Sequence, residues 1–449
     1  MPPASPTALH QLAHAAVRVT SGAAWHARAA LHVLDWLGCA ASGAQSAQGQ
    51  AFARWLGMQA TGACPTLAGH AADAAAAAAY HGALGSALEM DDIHRSAILH
   101  PGPVVIPAAL AASKADTPGA VLLGALVAGY EVTIRTGRAL GPSHYKLWHT
   151  TATAGTFGAA AAAAAVLGLD EARTVQALAL AGTRAGGLWQ VRHESQLGKA
   201  WHMAGAARDG LAAAQLAAAG LTGPLGVLDG PSGWFAATAP LADANLIGQP
   251  RATPWIDDVS FKPWPACRHA HPAIDALLEA CAGQTIDAAE IERVEVHTFA
   301  DALRFCDRAE PTESAQARFS LQHALAACLL WGEPQLAHYQ DAALRGPAVA
   351  ALRAKVALHI DAAIEARYPA SYGARVAVLW RNGRRAEAEL QDTLGDPARP
   401  LPLAALQGKA RMLMADGGWS GARIEAALTA CAGLPGAADL RALHAVIQP

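Results

Sequence analysis

A chain of 449 residues is too long for one simple core, and 53% hydrophobic against 15% charged residues describes a well-buried globular protein, not a disordered one. A formal charge of -3 and an isoelectric point near 6.7 exclude a general polyanion-binding surface, so nucleic acid is not an expected partner. Seven cysteines, with no C-x-x-C pair among them, suggest neither a disulfide framework nor a zinc ribbon, and a reducing cytoplasmic location fits best.

In chain order, "MPPASPTALHQLAHAAVRV" lacks the charged head and long apolar run of a signal peptide. Up to about residue 255 the segments have helical character. "AWHARAALHVLDWLGCAASG" and "VLLGALVAGYEVTIRTGRALG" carry apolar residues at three- and four-residue spacing and glycine near the end. The longest uncharged run, "TTATAGTFGAAAAAAAVLGL" at 150–169, could span a bilayer by length. Its Ala, Gly and Thr content reads instead as a close-packed buried helix, and no membrane partner is expected.

From 264 to 398 short alternating runs appear: "VEVHTF", "KVALHID", and "VAVLW" followed by Arg381-Asn382-Gly383 and "RAEAEL". Asn-Gly between two alternating runs predicts a hairpin, because both residues tolerate positive φ. With the helix-like "HPAIDALLEACA" and "FSLQHALAACLLWG" in the same region, the fold class is mainly α with an α+β second domain. The expected domains are residues 1–263 and 399–449 as one helical body and 264–398 as the smaller α+β one.

Four islands concentrate titratable side chains in this apolar chain. "LEMDDIHRSAILHPGPVVIP" carries Glu89, Asp91, Asp92, His94, Arg95 and His100, stiffened by Pro101, Pro103 and Pro107. "SHYKLWHTTATAG" carries Tyr145, Lys146 and His149; "RAGGLWQVRHESQLGKAWHMAG" carries Arg192, His193, Lys199 and His202; "FKPWPACRHAHP" carries Lys262, Arg268, His269 and His271. Any one island could be helix capping or a solvated edge. Together they point to a site, and Lys199 and His202, three apart, share a helical face. His269-x-His271 also permits a metal-hydrolase reading with Asp91, His94 and His100 as further ligands, but no repeated βα pattern surrounds it. No glycine-rich phosphate loop occurs in a usable context.

In this order the islands resemble the MmgE/PrpD family, which includes 2-methylcitrate dehydratase, cis-aconitate decarboxylase and iminodisuccinate epimerase. The matching pieces run from "ALHVLDWLGCAASG" to "FKPWPACRHAHPAIDALLEA", about residues 25–280. The resemblance implies a large helical domain built from both chain ends, a smaller α+β lid, a homodimer and a site between domains. The family's acidic pair falls on Asp91 and Asp92, its His-Pro on His100, its His-x-Thr-Ala on His149, its lysine on Lys199, and the histidine after F-K-x-[YW]-P on His271. Two departures are Glu89, two places before the acidic pair, and Ile93, where members often have threonine. The His-Pro is displaced by about one residue.

The activities of the family share one demand: charge must be handled at a carbon next to a carboxylate. On the resemblance, Lys199 is the expected base, with His271 or His149 as acid. His100 and Asp91 would orient and relay. Arg268 and Arg192 would bind substrate carboxylates, and Asp92, His94, Tyr145 and His202 would line the pocket. The scheme needs no metal or cofactor. A lyase on a small di- or tricarboxylate is the first reading; an epimerase with Tyr145 and Lys199 as opposed bases is the second, and a non-catalytic helical scaffold the third.

Overall fold

The computed structural model describes residues 7–20, 23–192 (backbone only at Arg192), 194 and 198–448. Its chain divides into two units: Met1–Ala87 with Asp91–Val259 and Leu403–Pro449, and Leu88–Met90 with Ser260–Pro402. The sequence pattern changes at 264 and 398, whereas the units change over after Val259 and Pro402. The three-residue excursion Leu88–Met90 has no counterpart in that pattern.

The first unit is helical: α1 (Ala8–Val19), α2 (His26–Gly43), α3 (Ala47–Leu56), α4 (Ala74–Gly85), α5 (Gly102–Ala112), α6 (Gly119–Tyr145), α7 (Thr150–Val166), α8 (Glu171–Gly182) and α9 (Lys199–Ala218). Ser46, Asp73 and Asp170 cap α3, α4 and α8 by accepting amide hydrogens of the first turn. α7 is the centre of the unit. Every residue from Thr150 to Ala164 is buried, and the helix packs against α5, α6, α8 and α9.

Small side chains make that packing possible. A Cβ on Gly158 would stand 1.7 Å from Thr133 Oγ1 of α6, and one on Gly210 of α9 would stand 2.4 Å from Ala159 Cβ. The long uncharged run at 150–169 thus forms an internal helix up to Val166, with Leu167 and Gly168 exposed at its end. α6 is long and apolar enough to cross a membrane, but 89% of its most apolar window is buried inside the protein. It breaks at Gly141 (φ 67°), ahead of Pro142. The C-terminal helix Leu403–Asp416 returns to pack along α2, where Lys409 Nζ meets Asp35 Oδ1 at 2.6 Å and Gly38 lets Ala410 approach.

The second unit holds a four-stranded mixed sheet of order β2-β1-β3-β4, with β1 Ile291–Thr298, β2 Val356–Ile360, β3 Ala374–Trp380 and β4 Arg385–Leu390. β1 pairs parallel with β2 and antiparallel with β3. The hairpin between β3 and β4 closes at Asn382-Gly383, with Gly383 at φ 83° and Asn382 Oδ1 accepting the Arg384 amide at 3.0 Å. The helix His271–Ala280 covers β3 and β4. The edge strand β4 alternates exposed and half-buried residues, its outward Arg385, Glu387 and Glu389 discouraging further strand addition.

Candidate active site

Three helices of the first unit begin in one place. His100 precedes Pro101, the N-cap of α5; His149 is the N-cap of α7; Lys199 is the first residue of α9. The three helices pack on one another, and contacts at their starts tie them together: the His100 amide donates to Thr151 Oγ1 at 3.0 Å, and His149 Nδ1 lies 3.2 Å from His202 Nδ1. Each helix start carries unpaired amides and a partial positive charge, so their convergence favours a bound anion. Buried Lys199 adds a side-chain cation.

His149 is the most constrained group of this cluster. Burial pushes its imidazole well below the usual range, and the charge of Lys199 and the presence of His202 push the same way. His202 is lowered too, by burial first and then by Lys199. Two neutral imidazoles facing through Nδ1 share one hydrogen, which can move to His202 only when His149 takes up a proton at Nε2. His149 Nε2 is buried and has no hydrogen-bond partner among the described residues, and the Trp189 ring lies 4.4 Å from the imidazole, with Tyr145 edge-on to Trp189 at 5.7 Å. Lys199 and His202 do share the face that their spacing indicates.

The Asp91–His100 segment is fastened differently. His100 Nδ1 lies 3.0 Å from both Asp91 Oδ2 and the Asp92 carbonyl oxygen. Both are acceptors, so Nδ1 carries a hydrogen, and in a ring with a single hydrogen Nε2 is left as an acceptor. Asp92 Oδ2 takes hydrogen bonds from Tyr130 at 2.6 Å and His32 Nδ1 at 2.7 Å, and Oδ1 takes the Gly102 amide at 2.9 Å. The non-glycine residues with positive φ among those described are Glu89 (56°) and Ile98 (49°), both in this stretch. Strain of this kind gathers at functional sites. At Ile98 it is held by the turn in which the His94 amide donates to the Leu99 carbonyl at 2.9 Å.

Several expected roles do not fit these surroundings. Asp92 is expected to bind substrate, yet both its oxygens are engaged inside the protein, because a carboxylate 3% exposed requires donors. His94 sits edge-on to Trp255 at 5.2 Å and its Nδ1 accepts the Ala97 amide. Burial, with Arg138, Arg251 and Arg95, holds it down to about 3; its charged neighbours are not those of His149. The Arg192 side chain and His193 lie outside the described residues.

In the second unit, Arg268 is 1% exposed and committed. Nη2 meets Asp396 Oδ1 at 2.6 Å, while Nη1 reaches the Leu394 carbonyl at 3.0 Å and His271 Nδ1 at 3.2 Å. A buried guanidinium demands such partners, and both terminal nitrogens of the expected bidentate grip are taken by protein groups, with Nε left without a hydrogen-bond partner among the described residues. Arginine only donates, so His271 Nδ1 accepts and its Nε2 hydrogen goes to the Ala266 carbonyl at 3.0 Å. His269 is stacked between Phe305 and Tyr372, away from any shared ligand position with His271. Among the described residues no group of three or more His, Cys, Asp and Glu is arranged to hold a metal. In the same unit Lys262 Nζ donates to the Glu89 carbonyl at 3.1 Å and Arg318 Nη1 to the Leu88 carbonyl at 2.6 Å.

Two domain families match the chain, the MmgE/PrpD N-terminal domain over residues 10–246 and the MmgE/PrpD C-terminal domain over residues 264–432. The chain belongs to the MmgE/PrpD family. Among curated members it is 37% identical over 170 residues to the cis-aconitate decarboxylase-like protein oryM of Aspergillus oryzae, covering 36% of this chain and 35% of that one. It is 30% identical over 292 residues to human cis-aconitate decarboxylase (60% and 58%) and 30% identical over 224 residues to 2-methylcitrate dehydratase of Salmonella typhimurium (46% and 44%). The matched spans thus reach from about a third to three fifths of these MmgE/PrpD relatives. Sequence reading missed His32 and Tyr130, which sit in no island of titratable residues, and Trp189, which lies inside the third island but is not itself titratable. Their only signal is a polar or aromatic group placed in an otherwise apolar helix or before a charged one.

Proposed function

We propose that the protein is a lyase acting on a small di- or tricarboxylate, by dehydration or decarboxylation at a carbon next to a carboxylate, with its own acid–base groups and no cofactor. The observation that carries this reading is His149: neutral, buried, with an open Nε2, at the joint start of three helices and beside a lysine. The names of the relatives, cis-aconitate decarboxylase and 2-methylcitrate dehydratase, agree with it.

In this reading Lys199 and the helix starts hold the substrate carboxylate, and water-poor surroundings strengthen that attraction. Sequence pointed to Lys199 as the base; the geometry favours His149, because a cation beside it keeps its ring unprotonated. In a dehydration His149, or His100 through an unprotonated Nε2, takes the α-proton, and the hydroxyl leaves as water with a proton from a second group. In a decarboxylation carbon dioxide leaves and a protonated ring delivers the hydrogen to the carbanion-like centre. Arg268 and Asp396 act by fixing His271, whose own proton transfer requires one of its two bonds to open. Return of the proton to the opposite face would make the enzyme an epimerase.

A panel of di- and tricarboxylates incubated in deuterated water and followed by NMR tests this. Alkene formation with loss of water, or release of carbon dioxide, marks the lyase; solvent deuterium retained without unsaturation marks the epimerase. His149→Gln, Lys199→Ala and His271→Ala should each lower turnover by about a hundred-fold or more with folding intact. Undiminished turnover in all three would remove the assignment. A cytoplasmic homodimer remains part of the proposal, and light scattering of the purified protein checks its dimeric half.

A further inference from the structure

The buried polar groups of the helical unit include one array that the scheme above does not use. Asp92, 3% exposed, belongs to the Asp91–His100 segment. Its side chain gathers three donors from three places: His32 of α2 at 2.7 Å, Tyr130 of α6 at 2.6 Å, and the Gly102 amide at the start of α5 at 2.9 Å. Its own main-chain carbonyl receives the His100 Nδ1 hydrogen at 3.0 Å. One residue thus supplies both the main-chain acceptor that orients His100 and the side-chain acceptor of the first amide of α5, and a backbone shift that follows a displaced carboxylate moves that main-chain acceptor.

We propose that His32 and Tyr130 are positioning residues of the MmgE/PrpD site in this chain, acting through Asp92 to keep His100 in the Nδ1–H tautomer with Nε2 presented as the proton acceptor. This inference rests on the proposed function only for its kinetic consequence; the tautomer itself is a property of the free protein. The geometry is fully specified. Tyr130 and His32 are 1% exposed or less, and their rings lie 5.0 Å apart, so neither can turn away from the carboxylate without opening a gap. Gly102 completes the arrangement, since a Cβ there would stand 2.7 Å from Asp92 Oδ1. With both oxygens saturated, Asp92 cannot swing toward His100 and compete with its main-chain carbonyl. Removing the phenol hydrogen leaves Oδ2 under-satisfied in a dry interior, and the carboxylate then seeks another donor. The nearest rearrangement frees the His100 ring to flip or change tautomer.

The experiment uses the full chain, labelled with ¹⁵N-histidine and assigned with His100→Gln. In the unmodified protein the His100 signals should show a protonated Nδ1 and an unprotonated Nε2 in the neutral ring. Tyr130→Phe, which deletes one oxygen, and His32→Gln should each turn these into averaged or mixed-tautomer signals. On whichever carboxylate the panel shows to be turned over, kcat should fall about ten- to a hundred-fold with KM changed less than about three-fold, the pattern of a misplaced proton-transfer group. A purely structural role would lower the melting temperature and leave the His100 signals of the folded fraction alone. Unchanged His100 signals in both folded variants would overturn the proposal. If one variant fails to fold, the other decides. If no carboxylate is turned over, the function falls while the tautomer arm still answers.

Discussion

At the scale of single residues, the decisive feature is what surrounds each imidazole. His149 is held well below the usual histidine range by burial first and Lys199 next. An enzyme that uses its neutral form should therefore keep activity on going below pH 6.5, the value of a free histidine, with the acid limb of the pH–kcat profile at lower pH. The sign with respect to Lys199 is definite: a nearby cation disfavours the imidazolium, so Lys199→Met must raise the His149 pKa and shift the limb upward toward 6.5. A limb already at or above 6.5 in the unmodified protein would speak against His149. The sequence made Lys199 and His202 legible as one face, because helix spacing is local. It could not show His149 against His202, 53 positions away, nor that both Asp92 oxygens and both terminal nitrogens of Arg268 would be taken from inside.

At the scale of elements, two glycines test two different causes. Gly158→Ala puts a methyl 1.7 Å from Thr133 Oγ1 between α6 and α7, and an overpacked core of this tightness should lose about 3 kcal/mol or more. Gly383→Ala in the β3–β4 turn meets nothing within 4 Å but inherits φ 83°, a left-handed conformation costing about 1–2 kcal/mol. Urea midpoints should fall further for the first. Lys409→Met addresses the helix Leu403–Asp416: it would leave Asp35, 1% exposed, without its partner at 2.6 Å. A loss of about 3–5 kcal/mol is expected, because an unpaired buried charge costs more than the pair contributes. Asp35 is already raised to about 6, burial outweighing the pull of Lys409.

At the scale of the whole molecule, the same physics fixes the acid limit of stability. Burial lowers His32, His81, His144 and His323 to about 4 and His94 to about 3, against 6.5 for the free side chain. These rings are neutral when folded near neutral pH, while the unfolded chain takes up protons first as pH falls. Their contribution is therefore whole above about pH 6.5 and lost progressively toward pH 4, each proton weighing roughly 1.4 kcal/mol per pH unit. Asp35 runs the opposite way between about 6 and 3.8, and Asp257, also raised by burial, runs with it, against the five histidines. Chemical unfolding at pH 7.5, 6, 5 and 4.5 should show stability falling steeply below 6; a flat profile would contradict the burial of these rings.

The sequence by itself determined the helical and α+β segments, the Asn-Gly hairpin, the buried fate of the 150–169 run, and the islands that carry the family likeness. These depend on periodicity, composition and neighbour spacing, which are written along the chain. Only the tertiary structure decided which polar groups are spent on the interior and which stay open, that Leu88–Met90 falls outside the helical unit, and how His32 and Tyr130 reach Asp92. Those are matters of desolvation and of partners far apart in sequence: a buried charge takes whichever donor packing brings near, and no local pattern encodes that choice.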